Sequence, residues 1–566
     1  MPPKRKAAEA AATTGARAAP VKKATAAPKP APNTSKKRKA AEAAETTTTR
    51  APAVKKPKAT PKPASDTNKK RKAADAAEAS IERAPAVKKP KATPEPIPKT
   101  TKKTGISIKK TKVLTKGKVI NNAPTSRLNV YVFGEGSSGE LGLGTAKNAK
   151  DVKRPRLNPF LTPEQVGVVQ VEAGGMHAIA LTHDSKLLTW GVNDQGALGR
   201  TTEWEGGLKD MDAAGDDSDS DDDADDNGLN PHESTPAAVD FSTTELAPDT
   251  VFTQVTAGDS CSFALTDDGK VYGWGTFRGN DGIIGFTPEV KVADRPILIA
   301  GLKDIKSIKA GANHCFALDN KGKTFSWGAG QQDQLGRRVI ERTAKAEGLK
   351  PRELGLPKGK VNPVVAIESG AYHGFAITKN GDVWSWGLNN MGETGITQGM
   401  GEDDATVRPA QLVESLKGKD IVSIHGGSHH SLAATKTGDC LVWGRLDGCQ
   451  MGISDDDLSK LPADETIKDE RNKPRILRVP TKVTAIDGAV TRVAASSDHN
   501  IAITKDGKAW SWGFSANYQT GQGTTDDIAV ATMIDNTAVR EKKLNGATTG
   551  GQFSIVTAEA VMTNGA

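Results

Sequence analysis

The sequence predicts an all-β protein: a seven-bladed β-propeller, closed by pairing of its N- and C-terminal strands and preceded by a disordered basic tail. Three observations carry this. An aromatic-Gly pair closing an alternating strand occurs seven times, and so does a small-residue turn opening a strand. The body begins with an unpartnered copy of the first signal and ends with an unpartnered copy of the second. Residues 1–100 contain no Leu, Phe, Trp or Tyr.

The tail comes first, over residues 1–125. Of the 77 Lys+Arg and 68 Asp+Glu, 32 basic and 8 acidic residues fall in 1–120, leaving 45 and 60 for the remainder. The net charge of +9 is therefore a tail of +24 joined to a body of −15. Three units repeat at a period of 33, with Arg5, Arg38 and Arg71 in register and Arg17, Arg50 and Arg83 in register. That period also belongs to ankyrin repeats. Ala, Pro, Lys and Thr, however, cannot bury enough apolar area to offset chain entropy, which predicts disorder. The runs KRK (Lys4, Arg5, Lys6) and KKRK at 36–39 and 69–72 suit a nuclear import receptor. Lys-rich clusters also suit the DNA backbone, whose phosphates they neutralise without reading bases.

The propeller follows, over 126–566. The aromatic-Gly pairs are Phe133-Gly134, Trp190-Gly191, Trp274-Gly275, Trp327-Gly328, Trp386-Gly387, Trp443-Gly444 and Trp512-Gly513, spaced by 57, 84, 53, 59, 57 and 69 residues. The strand-opening turns run from AGGMHAIAL (173–181) to TGGQFSIVT (549–557). Between the two signals lie X-Gly hairpin turns such as DDGK (267–270) and KDGK (505–508), which supply the positive φ a tight hairpin needs. Units of this size built from several short strands are propeller blades. VYVFG (130–134) and GGQFSIVTAEA (550–560) are two halves of one blade, and joining them removes the open edges of the array. Two insertions interrupt the repeat. One is an acidic loop at about 203–238, with ten Asp in 210–226; the other is a basic loop, 337–354.

Other classes are excluded. No run of 18 or more apolar residues exists, so no membrane-spanning helix and no membrane partner is expected. The start, MPPKRKAAEA, lacks the apolar region of a secretory signal. Four cysteines without CxxC spacing predict neither a disulfide framework nor a structural zinc site. GEGSSG (134–139) matches a dinucleotide-binding pattern, but a second Gly-rich turn follows where a helix is required. His177, His314, His373, His430 and His499 recur at one repeat position, which points to blade packing. The doubled His429-His430 occurs once and is set apart. No Walker loop or nucleophile motif is present, so no metal, cofactor or bond-making chemistry is expected.

With the repeat in hand, the body resembles the regulator of chromosome condensation family, nuclear exchange factors for the small GTPase Ran. The resemblance covers 126–566 and rests on FGEGSSGELGLG (133–144), WGVNDQGALGR (190–200), QLGR (334–337), GGSHHS (426–431) and above all TFRGNDGIIG (276–285). The last interrupts a blade where the family carries a wedge that touches the GTPase beside its nucleotide. The wedge is expected at Thr276, Phe277, Arg278, Gly279, Asn280, Asp281 and Gly282. The resemblance further implies GTPase contacts from Asp259, Asn313, Arg337, His429 and His430. It implies docking on nucleosome histones through Arg338, Arg342 and Arg352 of the basic loop, with a chromatin-bound, nuclear location. Asn313 stands where better-known members carry Asp, Ser137 replaces another Asp, and Gly392 and Phe553 replace His.

Two functions are therefore expected in order. The first is guanine-nucleotide exchange on Ran, with the nucleotide-free GTPase stabilised and the exchanger tethered to chromatin. The alternative is a chromatin-binding propeller of the same family that lacks exchange activity.

Overall fold

The computed structural model describes residues 114–205, 228–357 and 361–562. Over these it is a seven-bladed propeller of antiparallel sheets. Blade 1 joins the chain ends: Leu544–Thr549, Phe553–Glu559, Leu128–Gly134 and Val152–Leu157. Leu128–Gly134 pairs with Phe553–Glu559 along its whole length, from Leu128 opposite Glu559 to Gly134 opposite Phe553. This is the closure expected from the two half-blades.

Blades 2 to 7 begin with the inner strands Val168–Ala173, Phe252–Ala257, Ile305–Ala310, Val364–Ser369, Ile421–Gly426 and Val490–Ala495. Each inner strand pairs with a second strand, which pairs with a third, which pairs with an outer one. Second strands such as His177–Thr182 and His499–Thr504 are buried at every position, because blades stack on both of their faces. Outer strands are short or largely open to solvent, as in Val152–Leu157, where only Val152 and Pro155 are buried.

Antiparallel order divides the loops between two faces. Turns from inner to second strand and loops from third to outer strand emerge on one face, here called the top. The X-Gly hairpins emerge on the opposite face.

The recurring residues form one hydrogen-bonded relay between neighbouring blades. In blade 2, His177 Nε2 lies 2.8 Å from Ser262 Oγ of blade 3. Ser262 donates to the Ala197 carbonyl in the Gly-rich turn of blade 2, and the Trp274 indole donates to that same oxygen. His373, Ser431, Glu393 and Trp443 repeat the arrangement, as do His430, Asn500, Gln450 and Trp512. The glycine of each turn is forced: at Gly199, φ is +62° and a Cβ would sit 2.8 Å from the Trp274 ring. The aromatic-Gly glycine is forced as well. At Gly275, φ is +94° and a Cβ would lie 2.2 Å from the Ser260 carbonyl.

One boundary differs from expectation. Residues 114–125, assigned to the tail, lie against the body at the blade 3 hairpin. Lys116 pairs with Asp267 at 2.7 Å, the Gly117 amide donates to Asp268, and the Ile120 and Asn121 amides donate to the Asp267 carbonyl. Asn121 is buried, and its side chain donates to the carbonyls of Thr266 and Ile305. Composition missed this because the segment holds few apolar residues and is fixed by hydrogen bonds. Lys4, Arg5, Lys6 and the Asp run of the acidic loop lie outside the described residues. Among the described residues, no helix is long and apolar enough to cross a membrane, and no cluster of His, Cys, Asp or Glu is placed to hold a metal ion.

Candidate functional site

The top face dips at the axis into a depression of about 860 Å³. Its rim is built from one repeat position, the end of each inner-to-second-strand turn. Small residues make this turn tight, so the residue before each second strand projects upward. Met176, Ser260, Asn313, Tyr372, Asp498 and Gln552 occupy that position in six blades and line the depression.

Asp259 stands in the blade 3 turn. Its carboxylate reaches solvent, yet surrounding protein raises its pKa above the ordinary carboxylate range, against the Asn313 hydrogen bond and the Arg278 charge, which lower it. The Asn313 amide donates to Asp259 Oδ2 at 3.2 Å. Tyr372, also on the rim, has its phenol pKa raised by burial and by the nearby Asp259 charge.

A hairpin stands where the wedge is expected. Phe277–Gly279 and Gly282–Gly285 form a separate two-stranded hairpin between the third and outer strands of blade 3. Its root is apolar: Phe277, Phe286 and Phe263 stack with centroids 5.6–6.0 Å apart. Thr276 is buried, and its hydroxyl donates to the Lys291 carbonyl. The tip is exposed at Arg278, Asn280 and Asp281 and turns at Gly282, where φ is +103°.

The hairpin occupies the place of the Gly-rich turn that other blades use to accept the next blade's indole. Trp327 accordingly has a buried Nε1 with no partner, whereas Trp190, Trp274, Trp386, Trp443 and Trp512 all donate. Leaving a buried donor unsatisfied costs about 1–3 kcal/mol. The hairpin thus replaces a stabilising turn at one seam, beside the depression.

The remaining expected contacts divide. His429 is on the top face, half-buried, with Nδ1 3.0 Å from the buried Glu393 and its ring 6.4 Å from that of Tyr372. His430 is a correction: it is fully buried, with Nε2 2.6 Å from Asn500 Oδ1, and burial lowers its pKa to about 4. A neutral imidazole inside the blade relay presents nothing to a partner. Arg337 is also corrected. Its guanidinium donates to the carbonyls of Ser326, Glu347 and Lys350, as Arg200 does to Thr189 and His232 in blade 2. Both arginines follow a Leu-Gly turn and tie down the loop beyond it.

In the basic loop, Arg338 and Arg342 are exposed, and Arg352 pairs with Glu347 at 3.1 Å. Both ends of this loop lie on the wedge side. Ser137 sits in the blade 1 turn and donates to Glu135. Phe553 fills the blade 1 copy of the recurring His position, and Gly392 holds positive φ in the blade 5 turn. Sequence reasoning missed Gln331, Tyr372 and Asp498, and the exposed apolar Met176 and Phe514, all lining the depression. For Met176, Tyr372 and Asp498 the available signal was variation at one projecting repeat position, set against the constancy of the buried ones; Gln331 and Phe514 lie outside that position.

Comparison with known proteins gives a consistent picture. The sequence profile of the RCC1-like domain matches residues 129–556. The guanine nucleotide exchange factor SRM1 of Saccharomyces cerevisiae is 41% identical over 434 residues, spanning 76% of this chain and 86% of that protein. The regulator of chromosome condensation of Homo sapiens is 30% identical over 443 residues, spanning 75% and 90%. The crystal structure of Prp20p from Saccharomyces cerevisiae, reported with its binding to Gsp1p and histones, matches with a TM-score of 0.69 and 37% identity, covering 78% of this chain and 96% of that one. A second structure, Kap60 bound to yeast RCC1 (Prp20), matches with a TM-score of 0.69 and 35% identity over 82% and 97%.

Proposed function

The chain belongs to the RCC1-like domain family, and from that premise we propose that it is a guanine-nucleotide exchange factor for a Ran-type small GTPase, tethered to chromatin in the nucleus. The observation that carries this reading is the wedge, held over the rim of the top-face depression beside Asp259 and Asn313. Propellers serve many functions, so the fold alone does not decide it.

The mechanism makes and breaks no covalent bond. The top face binds the GTPase with Asp259, His429, Tyr372 and Asp498 offering polar and charged partners at the rim, and Met176 and Phe514 offering apolar contact. The wedge tip, Arg278–Gly282, reaches beside the nucleotide. Because binding is reciprocal, a surface that prefers the empty GTPase weakens nucleotide by the same factor. A shift of ~10⁴ in affinity needs about 5.5 kcal/mol of differential binding. Exchange then runs in whichever direction nucleotide supply dictates.

Prp20 of Saccharomyces cerevisiae is reported with its binding to histones and in complex with Kap60, and the basic tail here suits histone-bound DNA and an import receptor. Arg338, Arg342 and Arg352 are the proposed histone contacts, and Lys4, Arg5 and Lys6 belong to the proposed tail contacts with DNA and the import receptor. Two weak sites in one molecule reinforce each other through effective concentration.

Capture tests the binding half. Immobilised full-length protein is expected to retain nucleotide-free Ran and to release it on addition of Mg·GDP or Mg·GTP. Asp259→Ala and His429→Ala are each expected to weaken capture by about tenfold to a hundredfold. Equal retention of empty, GDP-bound and GTP-bound Ran would reject the exchange reading and leave a chromatin-binding propeller.

A further inference from the structure

The wedge is pinned from the next blade by two side-chain amides. Asn313 Oδ1 accepts the Arg278 amide N–H at 2.7 Å, and Gln331 Oε1 accepts the Asn280 amide N–H at 2.8 Å. The fit at the second point is close, since a Cβ on Gly279 would lie 2.4 Å from Gln331 Oε1. Both amides come from blade 4: Asn313 from its first turn and Gln331 from the loop after its third strand. Asn313 makes a second bond, donating through Nδ2 to Asp259. One end of its side chain must accept and the other must donate.

An aspartate cannot serve in this way. It would still accept from the Arg278 amide, but its other oxygen would meet the Asp259 carboxylate at hydrogen-bond distance with no proton between them. Two carboxylates so placed cannot both ionise freely and share a proton instead. Other groups act on Asp259 as well. Arg278 of the wedge supplies positive charge, Tyr372 of blade 5 stands opposite, the buried Cys261 follows two residues on, and the neutral His177 ring of blade 2 lies by the Asp259 backbone.

We propose that Asn313 and Gln331 are positioning residues that set the wedge over the GTPase site, and that residue 313 must be an amide because it bridges the Arg278 backbone to Asp259. The departure from Asp noted in the sequence is on this account a change of role. Position 313 no longer presents a charge to the GTPase but holds the element that does the work. The proposal rests on the exchange-factor reading above and deepens it.

Two measurements on the full chain test it. The first is deuterium uptake by residues 276–285, which needs no GTPase. Asn313→Ala is expected to speed exchange at the Arg278 amide and Gln331→Ala at the Asn280 amide, each leaving the other blades unchanged. The second is steady-state release of fluorescent GDP from Ran. Asn313→Ala is expected to lower kcat about tenfold with KM little changed, as loss of positioning does. For Asn313→Asp, activity relative to wild type is expected to fall as pH rises from about 5.5 to about 8, because the shared proton that replaces the amide donor is lost. Asn313→Ala has no such proton, and its ratio to wild type is expected to stay flat.

Recovery of Asn313→Asp at low pH also shows that the variant is folded. Unchanged uptake over 276–285 in both alanine variants overturns the proposal by itself. A flat ratio for Asn313→Asp overturns the bridging role. A wild-type chain that does not accelerate release overturns the functional reading, and is distinguished from the other failures by the uptake data.

Discussion

Glu140 shows how a single residue carries a consequence through the repeat. It occupies the turn position held by Gln334, Gln450 and Gln519 in other blades, and like them accepts a backbone amide, that of Ser138. Glu393 takes the same place in blade 5 but has His429 beside it. Glu140 is 1% exposed, its Oε1 has no hydrogen-bond partner, and burial pushes its pKa up to about 7. A carboxyl raised on folding binds more protons in the native state than in the unfolded one. Stability therefore falls as pH rises from the unfolded value, near 4.5, through about 7, and is level above that. Glu140→Gln is expected to stabilise the protein by about 1–3 kcal/mol at pH 8 and by almost nothing below pH 4.5. Urea midpoints at several pH values check this, and a benefit independent of pH would contradict it.

At the scale of elements, the blade 3–blade 4 seam and the docked segment 114–125 make separate predictions. Trp386 donates to the Gln334 carbonyl, while the Trp327 donor is unpaired. Blade 1 already places Phe133 at the equivalent position. Trp386→Phe is thus expected to cost about 1 kcal/mol more than Trp327→Phe in urea denaturation. Equal losses would remove the argument that the wedge displaced a stabilising turn. For the segment, a chain beginning at residue 114 is expected to match the full-length urea midpoint, and one beginning at 126 to lose about 1–3 kcal/mol, chiefly through Asn121 and Ile120. Identical midpoints for the two truncations would show that the segment contributes no stability.

For the whole molecule, the blades and their closure were legible in sequence because a buried relay reuses the same chemistry at most seams, those carrying Phe133 and Trp327 excepted. The aromatic-Gly pair, the Leu-Gly turn and the recurring His each answer to a steric or hydrogen-bonding demand that repeats. The wedge was legible through the family resemblance of TFRGNDGIIG (276–285), one of three places where the repeat is interrupted. The site was read less well, for two physical reasons. Residues such as His430 and Arg337 look chemically active but satisfy neighbours inside the blade. The rim residues Tyr372 and Asp498 share a repeat position but vary in identity from blade to blade, Gln331 lies in a loop, and only closure of the ring brings them together. Segment 114–125 escaped notice because hydrogen bonds rather than apolar burial secure it.

The central claim is that a fixed hairpin beside a polar depression drives nucleotide from a GTPase. Its most direct test is release of fluorescent GDP from purified Ran by catalytic amounts of the full chain, beside a variant in which residues 278–283 are shortened to a two-residue turn. The account predicts multiple turnovers with release accelerated by several orders of magnitude for the wild type, and a return to the intrinsic rate for the folded variant. Equal rates for the two proteins, or no acceleration by a folded wild-type chain, would contradict it.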